Sequence, residues 1–239
     1  MASSHRKKPK ILAVMHQEGS SPGRVGMMLE AMGYRIEACR PPLGDALPET
    51  LEEYSGAVVF GGPMSANDPD EFIKREIDWL EIPLKEQKPF FGICLGAQML
   101  CKHLGGHVSP HDEGHVEVGY YPINATQAGE TLMDWPQHVY QWHTEGFRVP
   151  QQATVLATGE TYPEQAFRFG DKAYGVQFHP EVTTWMMNRW TTKASHRFVL
   201  PGAQNREQQF EARPKHDGAV RAWLDDFLHQ WVGKADTRA

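Results

Sequence analysis

The sequence predicts an α/β protein: a doubly wound, mostly parallel sheet flanked by helices, with an antiparallel extension in its second half. Two observations carry this. Short continuous apolar runs alternate with helix-prone stretches up to Cys94, a rhythm that parallel sheets covered on both faces require. Beyond Gly105-Gly106 the texture changes to short strands separated by turn residues, which is the pattern of antiparallel pairing.

In order, Lys10 to His16 (KILAVMH) is an apolar run that reads as a buried strand. Arg24 to Met32 is helix-prone, with Gly33 as its C-cap. Tyr34 to Cys39 alternates as a second strand, and Pro41 to Pro48 reads as a linker loop. Gly56 to Phe60 is a third strand, stopped by Gly61-Gly62-Pro63. Asp70 to Glu86 reads as one long amphipathic helix with Phe72, Ile77, Leu80 and Leu84 near helical spacing. Pro89 to Ile93 is a fourth strand ending at Cys94.

Val116 to Ile123, Gln137 to Trp142, Thr154 to Thr158, Ala166 to Phe169 and Ala173 to Phe178 read as strands that extend or edge the sheet, with a hairpin at Gly170-Asp171. Trp185 to Trp190 starts a helix. Lys193 to Asp217 looks irregular. A closing amphipathic helix, expected over 216–232, carries Val220, Trp223, Leu224, Phe227 and Trp231 on one face.

The 239 residues suit one domain, 1–239, with a basic leader over 1–9. A net charge of −6 gives nucleic-acid binding no electrostatic support. Near the N-terminus, Arg6, Lys7, Lys8 and Lys10 precede an apolar run too short for a signal peptide, and no stretch reaches the length of a membrane span. Three cysteines, Cys39, Cys94 and Cys101, lack paired spacing, which points to a reducing, cytoplasmic setting.

Chemistry concentrates at Gly92-Ile93-Cys94-Leu95-Gly96-Ala97-Gln98. Glycines two before and two after a cysteine, between strand and helix, form a nucleophile elbow with Cys in place of Ser. The turn holds the sulfur at a helix N-terminus, whose dipole favours an anion. A cysteine nucleophile needs a base and a group to orient it. The strand Tyr174 to Phe178 delivers His179-Pro180-Glu181 at its end, a base and an acid in the order Cys, His, Glu. The Leu95 N–H follows the nucleophile, and Gly62 N–H ends a neighbouring strand; together they would form an oxyanion hole.

These blocks, with Phe60-Gly61-Gly62-Pro63 upstream and Gly175 to Glu181 downstream, resemble a class I, triad-type glutamine amidotransferase. The resemblance implies a flavodoxin-like fold and hydrolysis of the glutamine side-chain amide through a γ-glutamyl thioester, releasing ammonia and glutamate. It places the nucleophile on Cys94, the base on His179, the orienting acid on Glu181, the oxyanion donors on Gly62 and Leu95, and a substrate contact on Gln98. Gln141 to Phe147 resembles the segment that receives the α-amino and α-carboxylate groups. Gly146 and Phe147 match its usual pair, while Glu145 and His143 stand where the family varies. The wording Trp-His-Thr-Glu-Gly-Phe is most similar to stand-alone members like the glutaminase domain of GMP synthetase.

No Gly-x-x-x-x-Gly-Lys-Ser/Thr phosphate loop is present, and 185–215 matches no part of the family pattern. The acceptor of ammonia is therefore expected on a separate synthetase chain, or is water. A γ-glutamyl peptidase or hydrolase with the same triad is the alternative, and a catalytically idle regulatory or binding subunit the second. No cofactor is expected. His107, His111 and His115 alternate with Glu113 and Glu117, but Gly105-Gly106, Pro110 and Gly114 argue against a helix and for a solvated loop rather than a metal site. The Trp185 to Trp190 stretch reads as core, with a homodimer contact as the alternative.

Overall fold

The computed structural model describes residues 8–235. The expected leader falls largely on 1–7, outside the described residues; Pro9 already accepts a backbone hydrogen bond from Arg35 N–H.

The chain opens with β1 (Lys10–Val14), α1 (Gly23–Ala31), β2 (Arg35–Cys39) and β3 (Tyr54–Val59). It continues through α2 (Glu71–Trp79), α3 (Glu81–Lys85), β4 (Phe90–Ile93) and α4 (Leu95–His103). The second half holds β5 (His107–Pro110), β6 (Glu117–Pro122), β7 (Asn124–Ala125), α5 (Gln127–Leu132), β8 (His138–His143) and β9 (Glu145–Arg148). It ends with β10 (Thr154–Thr158), β11 (Ala166–Phe169), β12 (Ala173–Val176), α6 (Thr184–Lys193) and α7 (Arg206–Val232).

The main sheet has eight strands in the order β2-β1-β3-β4-β12-β11-β10-β7. From β2 to β12 all pairs are parallel. From β12 outward the pairs are antiparallel. This is the predicted architecture. The apolar strands are covered on both faces: one cluster joins Ile11, Phe91 and Val176 to Trp223, Phe227 and Trp231 of α7, the other joins Leu12, Val59 and Phe90 to Ile73, Trp79 and Leu100.

Four expectations need correction. The helix predicted over Asp70 to Glu86 is two helices, broken at Leu80. Pro83 has no N–H to donate to the Trp79 carbonyl, so the helical ladder cannot run through. The strands Val116–Ile123 and Gln137–Trp142 do not edge the main sheet. They form their own antiparallel ribbon, β6 with β8. The outer edge of β6 is already filled: Tyr120 N–H donates to Gln204 Oε1, Gln204 Nε2 donates to Tyr120 O, and Gln204 N–H donates to Val118 O. The closing helix begins at Arg206, inside the stretch expected to be irregular. Asn205 and Gln208 form a capping box that starts it, and Pro214 is carried within it. The His107 to Pro110 stretch, expected as loop, is a strand paired with β9.

Candidate active site

Four adjacent strands, β1, β3, β4 and β12, bring residues to one edge of the sheet from their carboxyl ends, where doubly wound sheets gather ligands. They deliver His16, Gly61-Gly62, Cys94 and His179 respectively. Short backbone bonds hold the strand ends level: Phe60 N–H donates to Val14 O at 3.0 Å, and Cys94 N–H donates to Val176 O at 2.8 Å.

Cys94 has φ 51° and ψ −105°. Among the described non-glycine residues only Gln87 shares a positive φ. An L-residue held there stores strain and persists only where the surroundings over-determine it. The flanking glycines show how. A Cβ on Gly96 would stand 2.1 Å from Val59 O, and one on Gly92 would stand 2.7 Å from Ala97 N and Gly96 O. The backbones of β3, β4 and α4 meet too closely for any side chain at either position.

His179 Nδ1 lies 2.7 Å from Glu181 Oε1, with both side chains buried. Nε2 of the same ring is buried and bonds no protein oxygen or nitrogen among the described residues. Burial alone would lower the proton affinity of His179. The charges of Glu181 and Cys94 outweigh it, and the pKa is raised above the ordinary histidine value. Gly61 packs against this pair: a Cβ there would meet His179 Cε1 at 2.8 Å and Cys94 Cβ at 3.5 Å. The Cys94 side chain and the His179 ring thus both lie against Gly61, with the Glu181 carboxylate on the far nitrogen of the ring, an arrangement suited to a histidine base serving a nucleophilic thiol.

The His179-Pro180-Glu181 turn is held from behind. Tyr140 O accepts from His179 N–H at 2.8 Å, and Glu181 O accepts from Arg24 N–H at 2.8 Å. Arg24 Nη2 donates to both oxygens of Asp217 at 2.8 and 2.6 Å, while Arg213 donates to Val182 O and to the same Asp217. Trp190 of α6 stands edge-on to His179, with ring centroids 4.9 Å apart, and contacts Trp142. The unplaced segment 185–215 therefore builds one wall of the site.

Neither Gly62 N–H nor Leu95 N–H has a hydrogen-bond partner among the described residues. Gln98 is buried, and its Nε2 donates to Glu145 O at 2.9 Å and Gln177 Oε1 at 3.2 Å. His143 Nδ1 donates to the same Glu145 oxygen at 2.9 Å, and its Nε2 faces Glu117 Oε2 at 3.0 Å. Gln165 Nε2 donates to that Glu117 oxygen at 2.9 Å. Gln98 and His143 thus grip the Glu145 carbonyl, immediately before Gly146, rather than leaving free side-chain nitrogens. Phe147 is buried against Phe167.

Sequence reasoning missed His16, Glu76, Gln165 and Gln177, and assigned Glu117, buried at the start of β6, to a solvated loop. They sit on separate elements and carry no shared spacing. The polar letters inside the otherwise apolar runs at His16 and Gln177 were the available signal. Cys39 closes β2 at the carboxyl edge beside β1, and Cys101 lies within α4; burial pushes their thiols up to about 11 and about 12, which disfavours the thiolate a nucleophile needs. On the surface loop after β5, donor atoms of His111, Glu113 and His115 come within 4.8 Å of one another. His107 is in β5, and Glu117 is committed to His143. Among the described residues, no helix is long and apolar enough to cross a membrane.

The family model for class-I glutamine amidotransferases matches residues 27–214. The chain belongs to this family. The class-I amidotransferase relatives include the glutamine amidotransferase-like protein YfeJ of Salmonella typhimurium, 35% identical over 180 residues, covering 71% of this chain and 74% of that protein. A GMP synthase of Porphyromonas gingivalis is 36% identical over 141 residues, 57% of this chain but only 26% of the synthase. Among solved structures, a glutamine amidotransferase from Thermotoga maritima superposes with a TM-score of 0.84 at 30% identity, covering 95% of this chain and 99% of its own. One from Methylobacillus flagellatus, at 22% identity and a TM-score of 0.86, shares the fold.

Proposed function

We propose that the chain hydrolyses the side-chain amide of glutamine through a γ-glutamyl thioester on Cys94. The observation that supports this most is the strained elbow at Cys94 beside the buried His179–Glu181 pair, in a chain of this family. The Cys94 sulfur adds to the amide carbon, and the carbonyl oxygen becomes an oxyanion facing Gly62 N–H and Leu95 N–H. Each such donor contributes about 3 kcal/mol to the transition state. His179 gives its proton to the departing nitrogen, which leaves as ammonia. Water then attacks the thioester, His179 takes the water's proton, and glutamate leaves with the thiolate restored. Glu181 keeps the imidazole oriented and balances its charge through both steps. Gln98, His143 and Glu145 shape the segment in which Gly146 and Phe147 would receive the substrate's α-amino and α-carboxylate groups.

The Porphyromonas gingivalis relative is a GMP synthase, and by that analogy ammonia passes to an acceptor held by a separate synthetase chain. A second reading, a γ-glutamyl peptidase, is favoured by the Trp142–Trp190 wall beside His179, which offers an apolar surface to a group attached beyond the γ-amide. Steady-state assays of the pure protein on glutamine and on γ-glutamyl dipeptides, following ammonia and glutamate, separate the two. Faster release of ammonia from glutamine supports the first, and faster dipeptide cleavage the second. No turnover of either substrate overturns both.

A further inference from the structure

His16 and Glu76 form an ion pair with 0% side-chain exposure on both sides, and neither has a part in the thioester chemistry. His16 Nε2 lies 2.8 Å from Glu76 Oε1, and His16 Nδ1 lies 3.1 Å from Gly61 O. A carbonyl oxygen can only accept, so Nδ1 carries a hydrogen and donates it to Gly61. Burial of His16 disfavours its charge, but Glu76 and the Gly61 carbonyl more than offset this, and its pKa is raised.

The Gly61–Gly62 peptide is trans, as are all peptides among the described residues. Its C=O and N–H therefore point in opposite directions. Holding Gly61 O on His16 turns Gly62 N–H away from His16. The backbone has Cys94 and His179 against Gly61, while Gly62 is pinned by His16 Cβ and Leu95 Cδ2, each less than 3.0 Å from where a Cβ would stand. Without that hold, a Gly-Gly peptide has the freedom to turn over and aim its carbonyl at the oxyanion.

We propose that the buried His16–Glu76 pair is a latch that holds the Gly61–Gly62 peptide with Gly62 N–H presented to the oxyanion formed at Cys94. This rests on Gly62 acting as an oxyanion donor in the function proposed above. His16 is a positioning residue: it acts on the transition state through a peptide it does not share with the substrate.

The test uses Glu76→Gln as background, so that no variant leaves a buried unpaired carboxylate. In it, His16→Phe removes the donor at near-constant size, while His16→Asn keeps an amide N–H where Nδ1 stood. The His16→Phe variant is expected to lose kcat on glutamine roughly 100-fold, with KM within about threefold. Alkylation of Cys94 by iodoacetamide, which needs no oxyanion site, stays near the background rate. The His16→Asn variant recovers most of the lost kcat. Equal kcat for the two variants, or a loss confined to KM, overturns the latch. Should the variants fail to fold, ¹⁵N NMR of histidine in the unaltered protein decides: a protonated His16 Nδ1 bonded to a carbonyl supports the latch, and an unprotonated Nδ1 overturns it. Unaltered protein that releases no ammonia from glutamine overturns the hydrolysis reading instead, and the NMR result still judges the latch.

Discussion

Glu181 Oε1 sits 2.7 Å from His179 Nδ1, and the two side chains are 3% and 5% exposed. A carboxylate this close, with little water to share it, fixes the ring's tautomer and its direction. Glu181→Gln is therefore expected to lower kcat on glutamine at least about 100-fold with a smaller change in KM, measured by ammonia release. An unchanged kcat would remove Glu181 from the machinery.

The same pair sets a pH dependence. The His179 pKa is raised, so the imidazolium persists above the ordinary histidine value of 6.5 and is lost only as pH climbs through the raised value. Leaving-group protonation needs that form. The kcat/KM for glutamine should hold steady as pH passes upward through 6.5 and fall only well to the alkaline side. Glu181→Gln removes the charge that holds the proton, and should draw that fall to lower pH. A pH–rate profile of both proteins checks the sign.

Backbone strain at Cys94 gives a prediction in which stability changes and activity does not. With φ at 51°, an Ala at this position keeps the strain, and a Gly relieves it. Cys94→Gly should be more stable than Cys94→Ala by about 1 kcal/mol in urea unfolding, though both are inactive. Equal midpoints would mean the elbow is unstrained.

Gly96 has no room for a methyl group, since its Cβ would stand 2.1 Å from Val59 O. The contact is with backbone of a central strand, which cannot give way cheaply. Gly96→Ala is expected to cost about 3 kcal/mol or more and to displace Cys94, losing most activity. Gly105→Ala, where a Cβ meets nothing within 4 Å, controls for glycine replacement, although its φ of 86° carries a modest strain of its own.

The sheet and the elbow could be read from sequence because their signals are local. Apolar runs such as Ile11 to Met15 and the spacing Gly92-Cys94-Gly96 each lie within a few residues, and backbone sterics tie them to one geometry. The departures are long-range. β6 left the main sheet because Gln204, some eighty positions away, fills its edge. α7 reached back to Arg206 because Asn205 and Gln208 cap it despite Pro214. The polar groups around the site, His16 with Glu76 and His143 with Glu117, pair across elements with no common period, and only the folded chain brings them together.

In the proposed reaction Cys94 carries a γ-glutamyl group during turnover. Rapid acid quench of the protein with glutamine, followed by peptide mass spectrometry, would detect that group. A γ-glutamyl adduct is expected on the peptide holding Cys94, absent from Cys94→Ala, which also releases no ammonia. Ammonia release by Cys94→Ala at the rate of the unaltered protein, or an adduct on another residue, would contradict that reaction.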